Sequence, residues 1–183
     1  MKYAVTTAPA TEPVHLAEAK LHLRTVTGDT SEDSLLISPL VTAAREYCEN
    51  VTGRALAAQT IKAYPENWGL WRLPRPPVVS ITSVKYYDTD NTEYTLAATD
   101  YQLDTVDGQL LILEEPTISL RELNPIVVEY TAGYTTDCPR AVRQAMLLLI
   151  AHWYQNREAL GEVGGEVEIG VKRLLSQFRE WWA

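Results

Sequence analysis

The residues whose types and spacing could do chemistry are few. His15, Glu18 and His22 stand three and four positions apart. On a helix they would share one face, which is metal-ligand geometry in principle. No fourth ligand accompanies them, and the same spacing suits a solvated polar face. Cys48 as a nucleophile would need a histidine base and a third, orienting group. It falls instead on an apolar helical stripe, where a buried, inert thiol is expected. His152 stands beside Trp153 and Tyr154 and reads as a hydrogen-bonded or edge histidine. Glu114 and Glu115 abut Pro116 in a loop, with nothing around them that supports general acid–base work. Walker, dinucleotide-fingerprint, GxSxG and HExxH motifs are absent from the sequence. The expectation is a protein that is not an enzyme, with no catalytic residue, metal or cofactor.

The elements that would position these residues fall into zones of different periodicity. From about 14 to 53 the pattern is helical: Leu16, Ala19 and Leu23 recur at helical spacing, and 27–30 reads as a break. Ser31 with Glu32 and Asp33 has the hydroxyl and acidic residues of a helix start. Leu36, Leu40, Ala43/Ala44, Tyr47 and Val51 then form one apolar stripe, terminated at Gly53. Pro39 interrupts it. Either the helix is kinked there, or Ser38 caps a new helix with Pro39 as its first residue.

From about 56 to 133 the signals are those of strands. The run 78–87 is β-branched and aromatic, Asp88-Thr89-Asp90-Asn91 is turn chemistry, and 92–96 is the return strand. A second hairpin runs through 101–103 and 109–113 with Asp107-Gly108 in its turn, and 126–130 closes the zone. The third zone is helical from Pro139, with Val142, Ala145, Met146, Leu149 and Trp153 on one face. Residues 161–170 read as a Gly-rich flexible linker, followed by an amphipathic segment carrying Val171, Leu174/Leu175, Phe178 and Trp181/Trp182.

The expected architecture is α+β. Residues 1–55 form an N-terminal helical part, 56–133 an inserted small antiparallel β-sheet region, and 134–160 a long helix completing the helical core. Residues 161–183 supply the linker and a C-terminal helix.

Composition narrows the function class. Among 183 residues, 46% are hydrophobic and 22% charged, as in ordinary globular proteins. Sixteen Lys+Arg against 24 Asp+Glu leave a net charge of −8, which argues against a broad basic surface that grips nucleic acid. Cys48 and Cys138 share no CxxC spacing and suit a reduced cytosolic setting. The N-terminus lacks the apolar core of a secretory signal, and the longest apolar run, 145–151, is too short to span a bilayer.

Two features point to surfaces rather than to chemistry. Between Tyr86 and Leu120 there are eight acidic residues, including Asp88, Asp90, Glu93, Asp104 and Asp107, and no Lys or Arg. Aspartates favour solvated turns, which accounts for many of them; alternatively they form an electronegative rim that repels phosphate or meets a basic partner. Phe178, Trp181 and Trp182 place three large aromatics within the final six residues, with Arg179 among them. Such a terminus either folds back on its own core or docks on another subunit or protein.

The run Val14-His15-Leu16-Ala17-Glu18-Ala19-Lys20-Leu21-His22-Leu23-Arg24 resembles the opening helix of the tailed-phage head–tail connector (adaptor) family. The resemblance continues in Ala43-Ala44-Arg45-Glu46-Tyr47 through Thr52-Gly53-Arg54-Ala55-Leu56, and in Leu73-Pro74-Arg75-Pro76-Pro77-Val78. Further on it includes Val84-Lys85-Tyr86-Tyr87-Asp88, Tyr130-Thr131-Ala132-Gly133-Tyr134, Pro139-Arg140-Ala141-Val142-Arg143-Gln144-Ala145 and His152-Trp153-Tyr154-Gln155-Asn156-Arg157-Glu158. Order and spacing agree from about 13 to 158. Two departures stand out: Ser38-Pro39 within a helix that is continuous in relatives, and Asn91 where the hairpin turn more often has Gly.

The resemblance implies a structural virion protein of the neck, a ring of about a dozen copies closed by heterologous contacts. Its implied partners are itself, the portal above, and the next neck or tail-completion protein below. DNA would pass through the ring without sequence-specific binding, and the acidic tract together with the net charge of −8 would give that channel an electronegative wall. No membrane is involved, and assembly would take place in the host cytoplasm. In related adaptors the C-terminal region reaches the portal, which makes Phe178, Arg179, Trp181 and Trp182 the portal-docking candidates. Asp88, Asp90, Glu93, Asp104 and Asp107 are the candidates for a channel or partner-facing rim. The rival readings are a DNA-packaging accessory, a stopper-type neck protein, and a small metal-dependent hydrolase built on His15, Glu18 and His22.

Overall fold

A computed structural model describes residues 1–25, 31–156 and 164–180. The expected break at 27–30 lies outside them. The elements in chain order are β1 (Lys2–Thr7), α1 (Leu16–His22), α2 (Ser31–Thr52), β2 (Gln59–Tyr64), β3 (Leu70–Arg72) and β4 (Val78–Tyr87). They continue with β5 (Glu93–Thr95), β6 (Tyr101–Asp104), β7 (Gln109–Ile112), β8 (Ile126–Ala132), α3 (Arg140–Gln155) and α4 (Gly164–Ser176). The class is α+β, as expected. The backbone divides into two compact units, one from Met1–Ala10 with Ala58–Tyr134, the other from Thr11–Ala57 with the described residues between 135 and 180.

The first unit holds two antiparallel sheets. A five-stranded sheet runs β1-β2-β8-β4-β5, and a three-stranded sheet runs β3-β7-β6. Strand β8 sits in the middle of the larger sheet and alternates strictly: Ile126, Val128, Tyr130 and Ala132 are buried, and Val127, Glu129 and Thr131 only partly so. That alternation fixes the register, because a one-residue slip would turn the apolar set to solvent. Ala63 of β2 and Val84 of β4 flank Val128, and all three are fully buried. The Tyr130 hydroxyl donates to the Pro74 carbonyl at 2.7 Å, which satisfies the one polar atom of that buried ring.

Strand β1 lies in a stretch that the sequence pattern assigned to the helical part. It belongs to the sheet instead, paired antiparallel with β2 from Lys2↔Tyr64 to Thr7↔Thr60. The two tight turns follow their turn chemistry. Asn91 adopts φ 62°, a left-handed conformation that Asn tolerates where Gly would otherwise be needed. Gly108 adopts φ 65° beyond Asp107, and its carbonyl accepts the Leu73 amide at 2.9 Å.

In the second unit α2 packs on α3, and α4 packs on both. Helix α2 is one 22-residue helix with Pro39 inside it, not two pieces. Its buried stripe is Ile37, Val41, Ala44, Cys48 and Thr52, rotated from the expected Leu36, Leu40, Ala43/Ala44, Tyr47 and Val51; Leu36 is exposed. The reason is polar. Arg45 and Glu49, charged residues that are no part of the expected stripe, are buried as a bonded pair and carry the inner face round by about one position. Helix α3 begins one residue after Pro139, which is its N-cap. The 161–170 linker is helical from Gly164 on, so Gly164, Gly165 and Gly170 are helix residues despite their low propensity. Tertiary packing outweighs that cost: Val171 and Leu175 are fully buried on α4.

Candidate interaction surfaces

The helical unit carries a bonded polar network. Arg45 Nε donates to Glu12 Oε2 at 2.8 Å and Arg45 Nη1 to Glu49 Oε2 at 3.0 Å. Thr42 Oγ1 donates to the other Glu12 oxygen, and the Leu56 amide to the other Glu49 oxygen. Every carboxylate oxygen is thereby matched, which is the condition under which buried charge is tolerated. The network ties the approach to α1, the middle of α2 and the exit from α2. It is a brace.

The candidate chemical groups are not brought together into one site: Glu18 is ion-paired, the thiols are buried, and His15, His22, Glu114 and Glu115 are exposed. The Glu18 carboxylate receives Arg143 Nη2 at 2.7 Å, while His15, at the N-cap position of α1 with no capping bond from its side chain, is exposed, as is His22. Arg143 also reaches Asp137 at 3.3 Å, so the Glu18 carboxylate is engaged by a cation of the chain itself. Cys48 is buried, and burial pushes its thiol up to about 12; Cys138 is likewise pushed up to about 11. Thiols held so far into the neutral form are poor nucleophiles. The Asn156 amide donates to the His152 carbonyl at 2.9 Å, closing the end of α3. Glu114 and Glu115 are exposed in their loop.

The acidic candidates separate into three groups. Asp88 and Asp104 build turns: Asp88 Oδ1 accepts the amides of Asp90 and Thr92, and Asp104 Oδ1 those of Val106 and Asp107. The amides on Asp88 hold its carboxyl below the usual range. Glu93 is clamped on β5, taking Lys85 Nζ at 2.7 Å and the Tyr87 hydroxyl at 2.6 Å. Those donors lower its carboxyl pKa, and the bond to Glu93 raises in turn the Tyr87 phenol and the Lys85 ammonium. Asp90 and Asp107 point outward at the two tips.

An aromatic row without a signal in the sequence, because its members come from three strands and the β2–β3 loop, crosses the same unit. Trp71 stacks on Trp68 at 5.9 Å between centroids, Trp68 meets Tyr86 edge-on at 5.4 Å, and Tyr86 stacks on Tyr94 at 5.3 Å. Arg121 lies over the Tyr87 ring at 3.8 Å, so the first cation after the acidic tract is folded back onto it.

At the chain's other end, the segment after α4 is bound to its own unit. Arg54 Nε donates to the Phe178 carbonyl at 2.8 Å, Arg54 Nη2 pairs with Glu180, and the Glu180 amide donates to the Thr52 carbonyl. Phe178 is half-buried and Arg179 exposed, whereas Trp181 and Trp182 lie outside the described residues. Arg54 and Glu180 were not singled out in the sequence. Their separation along the chain left no spacing signal.

The model of the head completion protein family matches residues 17–167. A chain from the neck of an empty gene transfer agent (GTA) particle, solved with C6 symmetry, superposes with a TM-score of 0.80 at 24% identity, covering 98% of this chain and 95% of that one. A chain from the native GTA neck, solved with C12 symmetry, gives 0.76 at 23% identity with the same coverage. A third, from the virion of the native GTA particle, gives 0.75 at 23%, again covering 98% of this chain and 95% of that one. At these identities the likenesses establish the fold. No curated protein matches the sequence.

Proposed function

This chain belongs to the head completion protein family and has a structural role in the head–tail connector; from that premise we propose that its copies form a closed ring in the neck of a virion. The ring joins the DNA-filled head above to the tail below, and DNA runs through its centre. The observation that carries this is the extent of the family match, residues 17–167, which runs from α1 through strands β2 to β8 and α3 to the first turn of α4 and leaves β1 and the rest of α4 outside it.

The action is assembly, not catalysis. The groups most suited to chemistry are occupied: Glu18 by Arg143, and Cys48 by a burial that keeps its thiol neutral. Asp90 and Asp107, exposed on two hairpin tips, give the ring an acidic surface past which DNA phosphates slide without sticking. Asp88, Asp104 and Glu93 shape those tips. The portal is met through the segment holding Phe178 and Arg179, continued by Trp181 and Trp182. Three aromatics surround a cation there, and tryptophan and arginine are among the residue types that dominate interfaces.

The test is a producing strain that lacks this chain. Filled heads without tails, together with a ring of this protein in the necks of wild-type particles, are the expected result. Completed tailed particles without it would overturn the proposal. Binding to a neck only after another ring is already seated on the portal would instead identify a stopper.

A further inference from the structure

The five-stranded sheet has two free edges, and they are unlike each other. Strand β1 is an edge of six residues, Lys2–Thr7, every one of them exposed. It contains no proline and one charge, and Tyr3 and Val5 are 41% and 46% exposed. Proteins blunt such edges with lysines, prolines or a covering element, because a long apolar edge is a template for another strand. Among the described residues of β1 only Lys2 serves that purpose.

Register shows which face these side chains occupy. Tyr3 pairs with Ala63, and Val5 with Ile61. Ala63 pairs with Val128 and Ile61 with Tyr130. All four inner partners are fully buried, so Tyr3 and Val5 continue the sheet's apolar face past the point where it is covered. At the opposite edge Tyr94 of β5 pairs with Tyr86, and Tyr86 with Ile126, two residues from Val128 on the same strand. Tyr94 is therefore on the same face, and it is 37% exposed. The two edges also differ in charge. Near β1 stand Lys2 and Arg75, the latter donating to the Tyr3 hydroxyl at 2.9 Å. Around β5 stand three acids, Asp88, Asp90 and Glu93, against two cations, Lys85 and Arg121, so this edge keeps an acidic excess.

We propose that the β1 edge of one copy pairs with the β5 edge of the next, so that the sheet continues from subunit to subunit around the ring. A ring needs two different patches that fit each other, and these two are of opposite sign and carry the same apolar face to each rim. Main-chain bonds supply the pairing, and Tyr94 packs across the junction against Tyr3 or Val5 of the neighbouring copy. The inference rests on the ring reading given above.

The test places cysteines on the full chain in pairs: Val5→Cys with Tyr94→Cys, Tyr3→Cys with Tyr94→Cys, and Ala4→Cys with Tyr94→Cys as the opposite-face control. All four positions are on exposed strands, two substitutions probe the same junction, and native Cys48 and Cys138 are buried. Assembled particles are treated with a bis-maleimide of roughly 8 Å reach, which spans directly opposed and diagonal neighbours. A ladder of linked chains is expected for the 3/94 and 5/94 pairs, with roughly tenfold less for 4/94, because successive side chains point to opposite faces. Rings that incorporate the variants but show no ladder above the control would overturn the β1–β5 junction while leaving the ring intact. Wild-type particles whose necks hold no ring of this chain would remove both.

Discussion

Arg54 closes the helical unit by gripping the chain 126 residues later: its Nη2 pairs with Glu180, and its Nε donates to the Phe178 carbonyl. Glu180 is buried, so its charge depends on that guanidinium for solvation. Arg54→Met keeps the stem and strands the carboxylate. A loss of about 3 kcal/mol is expected in urea unfolding, with the last turn before Trp181 becoming protease-sensitive. Arg54→Lys restores charge but not the fork, and should recover only part of it. Equal stability of the Met variant and wild type would show the pair to be idle.

Cys48 gives a pH dependence with a definite sign. Burial raises its pKa from 9.0 to about 12, so the folded state holds the proton after the unfolded state has lost it. This contribution is constant below pH 9, and stability falls as pH rises from there toward 12. Cys138, raised to about 11, adds to the same alkaline limb. Denaturant titrations of wild type and Cys48→Ala should diverge above pH 9, the wild type losing stability faster. In the native protein neither thiol should react with a disulfide reagent at pH 8 until urea opens the fold.

The β4–β5 hairpin makes the opposite kind of prediction, in acid. Glu93 is lowered by the hydrogen bonds from Lys85 and Tyr87, and Asp88 by the Thr92 and Asp90 amides and the Tyr94 hydroxyl. Carboxyls lowered by folding stabilise above their unfolded pKa and lose that contribution as pH falls through the folded one. Tyr87→Phe removes one donor, so the Glu93 pKa should move back up toward 4.5, read by carboxyl NMR. An unchanged Glu93 in that variant would mean that Lys85 alone sets it.

What the sequence disclosed and what it hid divide along physical lines. The 78–87 strand and the Asp107-Gly108 hairpin were legible because β-branched residues and turn residues act locally. Strand β1 was not, because Lys2–Thr7 pairs with Gln59–Tyr64 far along the chain and its own pattern is short. The phase of α2 is not legible from apolar spacing alone, because the inner face includes the charged pair Arg45 and Glu49. Only the arrival of Glu12 makes their burial affordable. The glycines at 164, 165 and 170 pointed to a linker, yet Val171 and Leu175 had a core waiting for them. Of the candidate surfaces, the acidic tips were visible as composition. Which carboxylates merely build turns was not, since Asp88 and Asp104 differ from Asp90 and Asp107 only in where the local amides point.

Helix α4 allows folding and docking to be separated. Leu175 is fully buried, so Leu175→Ala removes packing from the α2–α3–α4 core and should cost about 3 kcal/mol. Arg179 is exposed and its interactions are solvent-screened, so Arg179→Ala should cost no more than about 1 kcal/mol. If the terminal segment meets the portal, Arg179→Ala should weaken attachment of the folded protein to isolated portals by roughly tenfold, as expected for loss of an interface arginine. The Leu175→Ala protein, assayed at a temperature where it remains folded, should attach normally. A reversal, with Arg179→Ala unfolding the chain while its attachment stays intact, would make the C-terminal segment a strap for its own unit and nothing more.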